Sequence, residues 1–304
     1  MTAAIVVGYG SIGRRHVRVL EELGCETAVV SRRRVEHSPR FTTISEALSA
    51  KAADYVVVAN ETSAHRSAVN DLMSNGYVGK LLIEKPLGDL PTAALRNPFE
   101  LAAVGYNLRF HPVMTALADA IRGQRLLAMQ AYCGQWLPDW RPGSDYRKSY
   151  SADPKLGGGV LRDLSHELDY LLWLRGSWRR VTAIGGRLGQ LEIRSDDCWS
   201  LLLELDGCAS VSLQINYLDR PGRRQLIVNT VDHTYSADLI RGTLERDGRT
   251  QTFDVPPDHT YREQHRAILA GDTARLCTLV QGNRVMELIA ASERAAAKRC
   301  WISA

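Results

Sequence analysis

The sequence predicts an α/β protein: a Rossmann-type, doubly wound parallel sheet at the N-terminus, followed by an α+β domain with a large, mainly antiparallel sheet. Three observations predict this fold. Short apolar runs alternate with helix-like stretches through the first third of the chain, as in repeated βα units. The turn Gly8-Tyr9-Gly10-Ser11-Ile12-Gly13 follows the first of these runs. After about Pro112, apolar and polar residues alternate with the period of a half-buried strand.

The first domain is expected to cover residues 1–112. Its first strand is predicted over Ala3 to Val7, because a parallel strand buried on both faces is wholly apolar. A helix is predicted over Ser11 to Leu23, with Gly24 ending it. Further strands are predicted over Glu26 to Ser31, Asp54 to Ala59, Lys80 to Glu84 and Glu100 to Tyr106.

The second domain is expected to cover residues 113–304. The sequence predicts a strand over Leu126 to Trp136, a glycine-led helix over Gly157 to Gly176 and a last helix from about Arg284. Asp206-Gly207 and Asp247-Gly248 are typical hairpin turns. The first hairpin is predicted to bury the face that carries Trp199, Leu201, Leu203, Leu205, Ala209, Val211, Leu213, Ile215 and Tyr217.

Composition excludes several classes of protein. A net charge of +4 over 304 residues does not indicate a nucleic-acid partner. The six cysteines form no CxxC pair or metal-like cluster, so we expect reduced thiols and no metal. The first apolar run is too short to cross a membrane and lacks the basic region of a signal peptide. We therefore expect a cytoplasmic protein without a membrane partner.

The turn from Gly8 to Gly13 has the spacing of a dinucleotide-binding motif. Gly8 would allow a tight turn, Gly10 would let backbone N–H groups approach a pyrophosphate, and Gly13 would let the helix pack close to the strand. The phosphates would lie at the helix N-terminus, where unpaired N–H groups and the helix dipole favour anions. The alternative is an ordinary glycine-rich turn.

Ser31, Arg32 and Arg33, at the end of the second predicted strand, favour NADP. An acidic residue there would bind the ribose 2′-hydroxyl of NAD, whereas serine and arginine can bind a 2′-phosphate. The alternative is a solvated basic turn, with Glu36 or another group binding NAD.

Polar residues also follow the next two predicted strands. Asn60, Thr62 and His65 come after the third strand, and Glu84-Lys85-Pro86 ends the fourth. The carboxyl ends of parallel strands line the ligand crevice, so we expect these residues to contact the cofactor. Lys85 taken alone is also compatible with a surface lysine.

Three further motifs complete a pattern that resembles the Gfo/Idh/MocA oxidoreductase family. The chain carries in order the glycine turn, Glu84-Lys85-Pro86, Gly105-Tyr106-Asn107-Leu108-Arg109-Phe110 and a segment from Gly157 to Trp173 that contains Asp163 and His166. The resemblance implies that Lys85 is the active-site lysine, that His166 is the acid/base and that Asp163 binds substrate or orients the acid/base. It also places Asn107 and Arg109 at the substrate. Many members put the aspartate four residues before the histidine, whereas the spacing here is three.

The loop before His166 is rich in aromatic and cationic residues. Trp140 and Tyr146 would suit a sugar ring, and Arg147 would suit an anionic group on the substrate, with Arg141 and Lys148 beside it. The alternative is a packing loop with solvated cations.

These features predict an NAD(P)-dependent oxidoreductase that transfers a hydride between nicotinamide and a secondary hydroxyl or keto group. The resemblance implies a sugar, sugar derivative or cyclitol as the substrate. The alternatives are an NAD-dependent glycosidase of the same fold and a non-enzymatic, dinucleotide-sensing regulator; the presence of both Lys85 and His166 disfavours the regulator. We also expect a homodimer or homotetramer, because the large sheet offers a broad face for self-association.

Overall fold

The structure, a computed structural model, describes residues 1–92 and 97–304. Its strands are β1 (Ala3–Val7), β2 (Glu26–Val30), β3 (Arg40–Phe41), β4 (Tyr55–Val58), β5 (Lys80–Ile83), β6 (Leu101–Val104), β7 (Leu126–Gly134), β8 (Trp178–Gly186), β9 (Cys198–Leu205), β10 (Cys208–Asn216), β11 (Arg223–Thr230), β12 (Thr234–Asp238), β13 (Thr243–Arg246), β14 (Arg249–Thr252), β15 (Cys277–Thr278) and β16 (Ile302–Ser303). Its α-helices are α1 (Ser11–Glu22), α2 (Ile44–Ala50), α3 (His65–Ser74), α4 (Pro112–Ala120), α5 (Val160–Asp163), α6 (His166–Arg175), α7 (His259–Ala270) and α8 (Leu279–Lys298).

The chain divides into two compact units. The first contains Met1–Phe110 and Pro257–Asn283, and the second contains His111–Pro256 and Arg284–Ala304. The sequence predicted a single boundary at residue 112 instead. The difference arises because residues 257–283, here called the return segment, supply α7 and β15 to the first unit, and β15 pairs with β6.

The first unit contains the predicted parallel sheet. Its strand order is β15-β6-β5-β4-β1-β2-β3, and every neighbouring pair is parallel except β15 with β6. The strands β1 and β4 lie at its centre, and all residues of β4 are buried, as their apolar sequence requires. The chain order reverses between β1 and β4, so the carboxyl ends of these two strands form the position where such sheets bind ligands.

The second unit contains the predicted antiparallel sheet. Its strand order is β14-β13-β12-β11-β7-β10-β9-β8-β16, and β7 with β10 is the parallel pair. The hairpin between β9 and β10 turns at Asp206-Gly207 as predicted, but Ala209 lies on the exposed side. A bulge between Cys208 and Val211 shifts the register there, so Cys208 takes the buried position.

The predicted helix from Gly157 to Gly176 is two helices. The segment α5 ends at Asp163, and α6 begins at His166. Gly157 and Gly159 have φ angles of +83° and +119°, which hold the start of the segment outside the helical region. Asp163 and His166 therefore lie on separate helices, and the prediction of a single helix over both residues is wrong. Within the described ranges, no helix is long and apolar enough to cross a membrane.

Candidate functional site

The glycine turn joins β1 to α1 where the sequence placed it. Gly8 has φ +98°, and a Cβ there would lie 2.7 Å from the backbone of Ala59 and Asn60. A Cβ on Gly13 would lie 2.1 Å from the carbonyl oxygen of Gly8. Gly8 and Gly13 thus fill the two packing roles expected of them.

Gly10 differs from the other two glycines because its missing side chain leaves open space. Apart from its neighbours along the chain, no described residue has an atom within 4 Å of the Cβ position of Gly10, which is the N-cap of α1. The first turn of α1, which starts with Ser11 and Ile12, contains no acidic side chain. An exposed helix N-terminus without nearby negative charge fits the pyrophosphate of a dinucleotide.

The end of β2 is basic and exposed. Arg32 and Arg33 are exposed, and Ser31 is partly buried, with its Oγ 3.2 Å from both the N–H and the carbonyl oxygen of Arg33. Tyr9, from the glycine turn, packs its ring near His37 at 5.7 Å. These groups can receive the adenosine end of a dinucleotide at the edge of β2.

The segment after β4 contains one residue whose buried side-chain oxygen is unpaired, Asn60, and two buried residues, Thr62 and His65. Asn60 is partly exposed, and its Oδ1 has no hydrogen-bond partner among the described residues. Thr62 is buried at the start of a 3-10 helix, Thr62–Ala64. His65 is 1% exposed, and its ring nitrogens lie 3.2 Å from Asn60 O and 3.0 Å from Pro86 O.

His65 is therefore buried against two backbone carbonyl groups, and its contact with the cofactor stays a prediction. Its ring lies between two backbone carbonyl groups, one after β4 and the other after Lys85. Burial lowers the pKa of His65, although these hydrogen bonds act in the opposite direction. These contacts could not be predicted from the sequence, because a histidine that bonds carbonyl groups looks like one that binds a ligand.

Lys85 follows β5 at the carboxyl edge of the parallel sheet and is partly exposed. Its backbone N–H lies 3.1 Å from Glu84 Oε2. Glu84 is 6% exposed, and its Oε1 lies 2.9 Å from His16 Nε2. Burial raises the pKa of Glu84, but the hydrogen bond from His16 and the nearby charges lower it below its usual value overall. The carboxylate is thus ionised and faces the protein interior.

Asn107 and Arg109 both contact the return segment, and their assignment to the substrate stays a prediction. Asn107 Nδ2 donates to Thr260 Oγ1 at 2.8 Å. Arg109 is 2% exposed, and its Nη1 donates to Leu276 O at 3.2 Å and to Gln281 Oε1 at 2.9 Å. Because both side chains are buried in these contacts, their motif has a structural role within the first unit.

Asp163 and His166 belong to the second unit. His166 is the first residue of α6 and is 9% exposed. Asp163 ends α5, and the hydroxyl of buried Tyr217 donates to its Oδ2 at 2.6 Å. Tyr150 also hydrogen-bonds Asp163, and its own pKa is raised by burial and by this carboxylate. Asp163 is therefore held by two phenol groups.

The loop before His166 contributes packing and ion pairs. The ring of Trp140 meets the Tyr217 ring edge-on at 5.1 Å, so Trp140 lies in the aromatic cluster around Asp163. Tyr146 is partly buried, and its hydroxyl accepts from Glu192 N at 3.4 Å. Arg147 pairs with Asp145 at 2.8 Å and with Glu192 at 3.0 Å. Two carboxylates thus neutralise Arg147, and the structure does not favour its role as a receptor for an anionic substrate.

Sequence reasoning missed the buried groups that support these residues. His16, His265 and Tyr55 form a hydrogen-bonded chain to Glu84, and Tyr217 holds Asp163. One signal was present for His16, since it lies three residues after Gly13, on the helix that the glycine turn begins. No signal was present for His265, which lies 249 residues from His16.

Two family models match the chain. The model described as the oxidoreductase family with an NAD-binding Rossmann fold matches residues 3–103, and the GFO/IDH/MocA C-terminal domain matches residues 116–245. The chain belongs to the Gfo/Idh/MocA family of oxidoreductases. The resemblance predicted from the motifs is confirmed, as is an NAD-binding Rossmann domain. A search of curated protein sequences finds no significant match.

Solved structures of similar fold cover nearly all of the chain. Levoglucosan dehydrogenase in complex with NADH is 15% identical, with a TM-score of 0.84 over 99% of this chain and 98% of that one. GenD2 from gentamicin A biosynthesis, in complex with NAD, is 22% identical, with a TM-score of 0.79 over 100% and 96%. UDP-N-acetylglucosamine 3-dehydrogenase GnnA from Acidithiobacillus ferrooxidans is 23% identical, with a TM-score of 0.76 over 97% and 98%. At these identities the likeness establishes the fold.

Proposed function

We propose that this oxidoreductase is an NAD(P)-dependent dehydrogenase acting on a secondary hydroxyl or keto group of a sugar, sugar derivative or cyclitol. The observation that carries the proposal is Lys85 at the carboxyl edge of the sheet, in a unit whose glycine turn has the dinucleotide-binding geometry. The similarity to levoglucosan dehydrogenase and UDP-N-acetylglucosamine 3-dehydrogenase supports sugars as the substrate class.

The cofactor, when bound, would accept or supply the hydride. The open space at Gly10 and the unpartnered Oδ1 of Asn60 fit such a group. His166 is proposed to remove the hydroxyl proton during oxidation, because imidazole changes its charge near neutral pH. Lys85 is proposed to stabilise the developing alkoxide through its ammonium group, or to polarise a carbonyl in the reverse direction. Asp163, held by Tyr217, is proposed to fix the end of α5 that precedes His166.

NADP is the proposed cofactor preference, and Ser31, Arg32 and Arg33 support it. Both arginines are exposed at the end of β2, where a 2′-phosphate would lie, and neither forms an ion pair with another described residue. Fluorescence titration should show NADPH binding more tightly than NADH. Arg32→Ala should weaken NADPH binding by about tenfold, because one charge-assisted contact is lost, and should leave NADH binding nearly unchanged. Equal affinities in the wild type would contradict the preference.

A substrate panel tests the proposed reaction. The absorbance of NADPH or NADH should change with at least one compound among levoglucosan, UDP-N-acetylglucosamine, myo-inositol and simple aldoses, together with their keto derivatives. Release of a free sugar from a glycoside without net change in the nicotinamide would instead indicate the glycosidase alternative. Tight cofactor binding without turnover of any compound would indicate the regulator.

A further inference from the structure

The side chain of His65 joins the ends of two neighbouring strands of the parallel sheet. Its Nε2 lies 3.2 Å from the carbonyl oxygen of Asn60, which follows β4, and its Nδ1 lies 3.0 Å from the carbonyl oxygen of Pro86, which follows β5. The strands β4 and β5 pair directly, and Val58 opposite Ile83 is their last pair. His65 therefore links the two segments just beyond the end of this ladder.

The backbone of Asn60 also lies against the glycine turn. A Cβ on Gly8 would lie 2.7 Å from the backbone nitrogen of Asn60. The Nδ2 of Asn60 lies 3.5 Å from the carbonyl oxygen of Ala64, whereas its Oδ1 has no hydrogen-bond partner among the described residues. A series of contacts thus runs from the end of β1 through Asn60 to His65, and it leaves one amide oxygen able to accept a further hydrogen bond.

The hydrogen bonds of His65 go to backbone groups that can only accept. A neutral imidazole ring supplies one N–H, and an imidazolium supplies two. Burial lowers the pKa of His65, although the backbone hydrogen bonds and the charge of Glu84 act in the opposite direction. A buried carbonyl group without a donor is unfavourable, so an apolar side chain in place of His65 should let both segments move.

We propose that His65 is a positioning residue of the dinucleotide site. It holds the Asn60 segment against the glycine turn, and the Oδ1 of Asn60 accepts a hydrogen bond from the bound dinucleotide. His65 acts through Asn60 and does not itself contact the cofactor. The role in the reaction rests on the proposed function, but the link between the two segments exists in the free protein and can be measured there.

Hydrogen exchange in the free protein measures this link directly. Mass spectrometry follows deuterium uptake in the peptides that contain Asn60 and Pro86. His65→Leu should raise the uptake of both peptides, because it removes the donor and keeps an apolar side chain of moderate size. His65→Asn should raise the uptake of the Asn60 peptide alone, because its amide nitrogen can take the place of Nδ1 but does not reach the place of Nε2.

Fluorescence titration with NADH measures the effect on the cofactor site. His65→Leu and His65→Asn should each raise the NADH Kd about threefold or more, the effect of one lost hydrogen bond. His65→Gln should bind NADH nearly as the wild type does, because its amide nitrogen can take the place of Nε2 and donate to Asn60. His65→Leu should cause little further loss in an Asn60→Ala background, since both changes remove the same contact.

Tyr77→Phe is the matched control. The Tyr77 hydroxyl donates toward the carbonyl oxygens of Asp54 and Lys80, at the opposite ends of the same two strands. This variant therefore loosens β4 and β5 away from the glycine turn. It should leave the uptake of both peptides and the NADH Kd near their wild-type values.

The outcomes separate this proposal from the proposed function. Unchanged uptake in His65→Leu, or equal NADH affinities in His65→Asn and His65→Gln, would overturn the positioning role. Additive losses from His65→Leu and Asn60→Ala would overturn the route through Asn60 and indicate a direct contact of His65 with the cofactor. A wild type that binds NADH but turns over no sugar would contradict the proposed function alone, and the results on His65 would stand.

Discussion

At the scale of single residues, substitutions of Gly10 and of Gly13 are expected to have different effects. One should weaken cofactor binding, and the other should lower the stability of the fold. A methyl group on Gly13 would meet the Gly8 carbonyl oxygen, so Gly13→Ala should cost about 1–3 kcal/mol of unfolding free energy, as overpacking does. Gly10→Ala meets nothing in the protein, so it should change stability by less than about 1 kcal/mol. It should still weaken NADH binding about tenfold or more by keeping the pyrophosphate away from the backbone.

Denaturant unfolding and fluorescence titration on the same two variants measure this difference. Gly10→Ala with the NADH affinity of the wild type would contradict the placement of the pyrophosphate at α1. Unchanged stability in Gly13→Ala would contradict the close contact between α1 and the end of β1.

The sequence predicted the close packing at Gly8 and Gly13 but not the partners of several polar side chains, for a physical reason. A glycine turn is set by backbone conformation over a few residues, so the local sequence contains the information. The partners of a polar side chain are set by the fold: Asn107 bonds Thr260, 153 positions away, and Arg109 bonds Leu276 O, 167 positions away. A single sequence does not contain these pairings.

At the scale of the elements, the buried histidines predict how stability depends on pH. Burial lowers the folded-state pKa of His65 and His265, so between those values and about 6.5 the unfolded chain binds more protons. Stability is therefore complete above about pH 6.5 and falls as the pH drops below it. Each histidine should contribute a slope of up to about 1.4 kcal/mol per pH unit.

Urea unfolding between pH 7.5 and pH 5 measures this slope. His265→Gln should reduce it, because the residue that resists protonation is gone. His233→Gln is the control, since His233 is partly exposed and lies near Asp247 in a surface hairpin. An equal slope in the wild type and in His265→Gln would rule out His265 as its source.

The elements themselves were predicted well where one local signal was enough. The strands β1, β2, β4, β5, β6 and β7, the β9–β10 hairpin and the turn at Asp247-Gly248 lie close to where apolar periodicity and Asp-Gly placed them, whereas β3, β8, β11, β12, β15 and β16 were not predicted. The break between α5 and α6 was not predictable, because Leu164 and Ser165 are compatible with a helix. Asp196 holds the start of α5 by accepting the N–H of Leu161 at 2.9 Å from 35 positions away.

At the scale of the whole molecule, the antiparallel sheet of the second unit presents a face suited to self-association. Ile184, Leu202 and Ile227 project from the same face and are 75%, 53% and 37% exposed. The register β9-β10-β7-β11 aligns Leu202 with Ser212, Gln130 and Ile227 in one row. We propose that a second copy of the chain covers this face, because apolar groups exposed together are typical of interfaces.

Sedimentation velocity tests this proposal. The wild type should sediment as a dimer or tetramer, and Leu202→Lys should shift it toward the monomer by placing a charge in the interface. Val78→Lys is the matched control, since Val78 is 58% exposed in the first unit. A wild-type monomer, or an assembly unaffected by Leu202→Lys, would contradict this interface.

The return segment is the feature of the whole molecule that no local pattern predicted. Its membership of the first unit depends on the contacts of Thr260, His265 and Leu276. The predicted boundary at residue 112 came from a change in composition, which can mark only one boundary. The chain crosses between the two units more than once, so a single boundary does not describe them.

Turnover of the Lys85→Ala and His166→Ala variants tests the central claim most directly. With the best compound from the sugar panel, each variant should lose about 10² or more in kcat, the usual effect of removing an acid, a base or an electrostatic group. The NADPH dissociation constant, measured by fluorescence, should stay close to that of the wild type. Turnover near the wild-type level in either variant, with cofactor binding intact, would contradict the account.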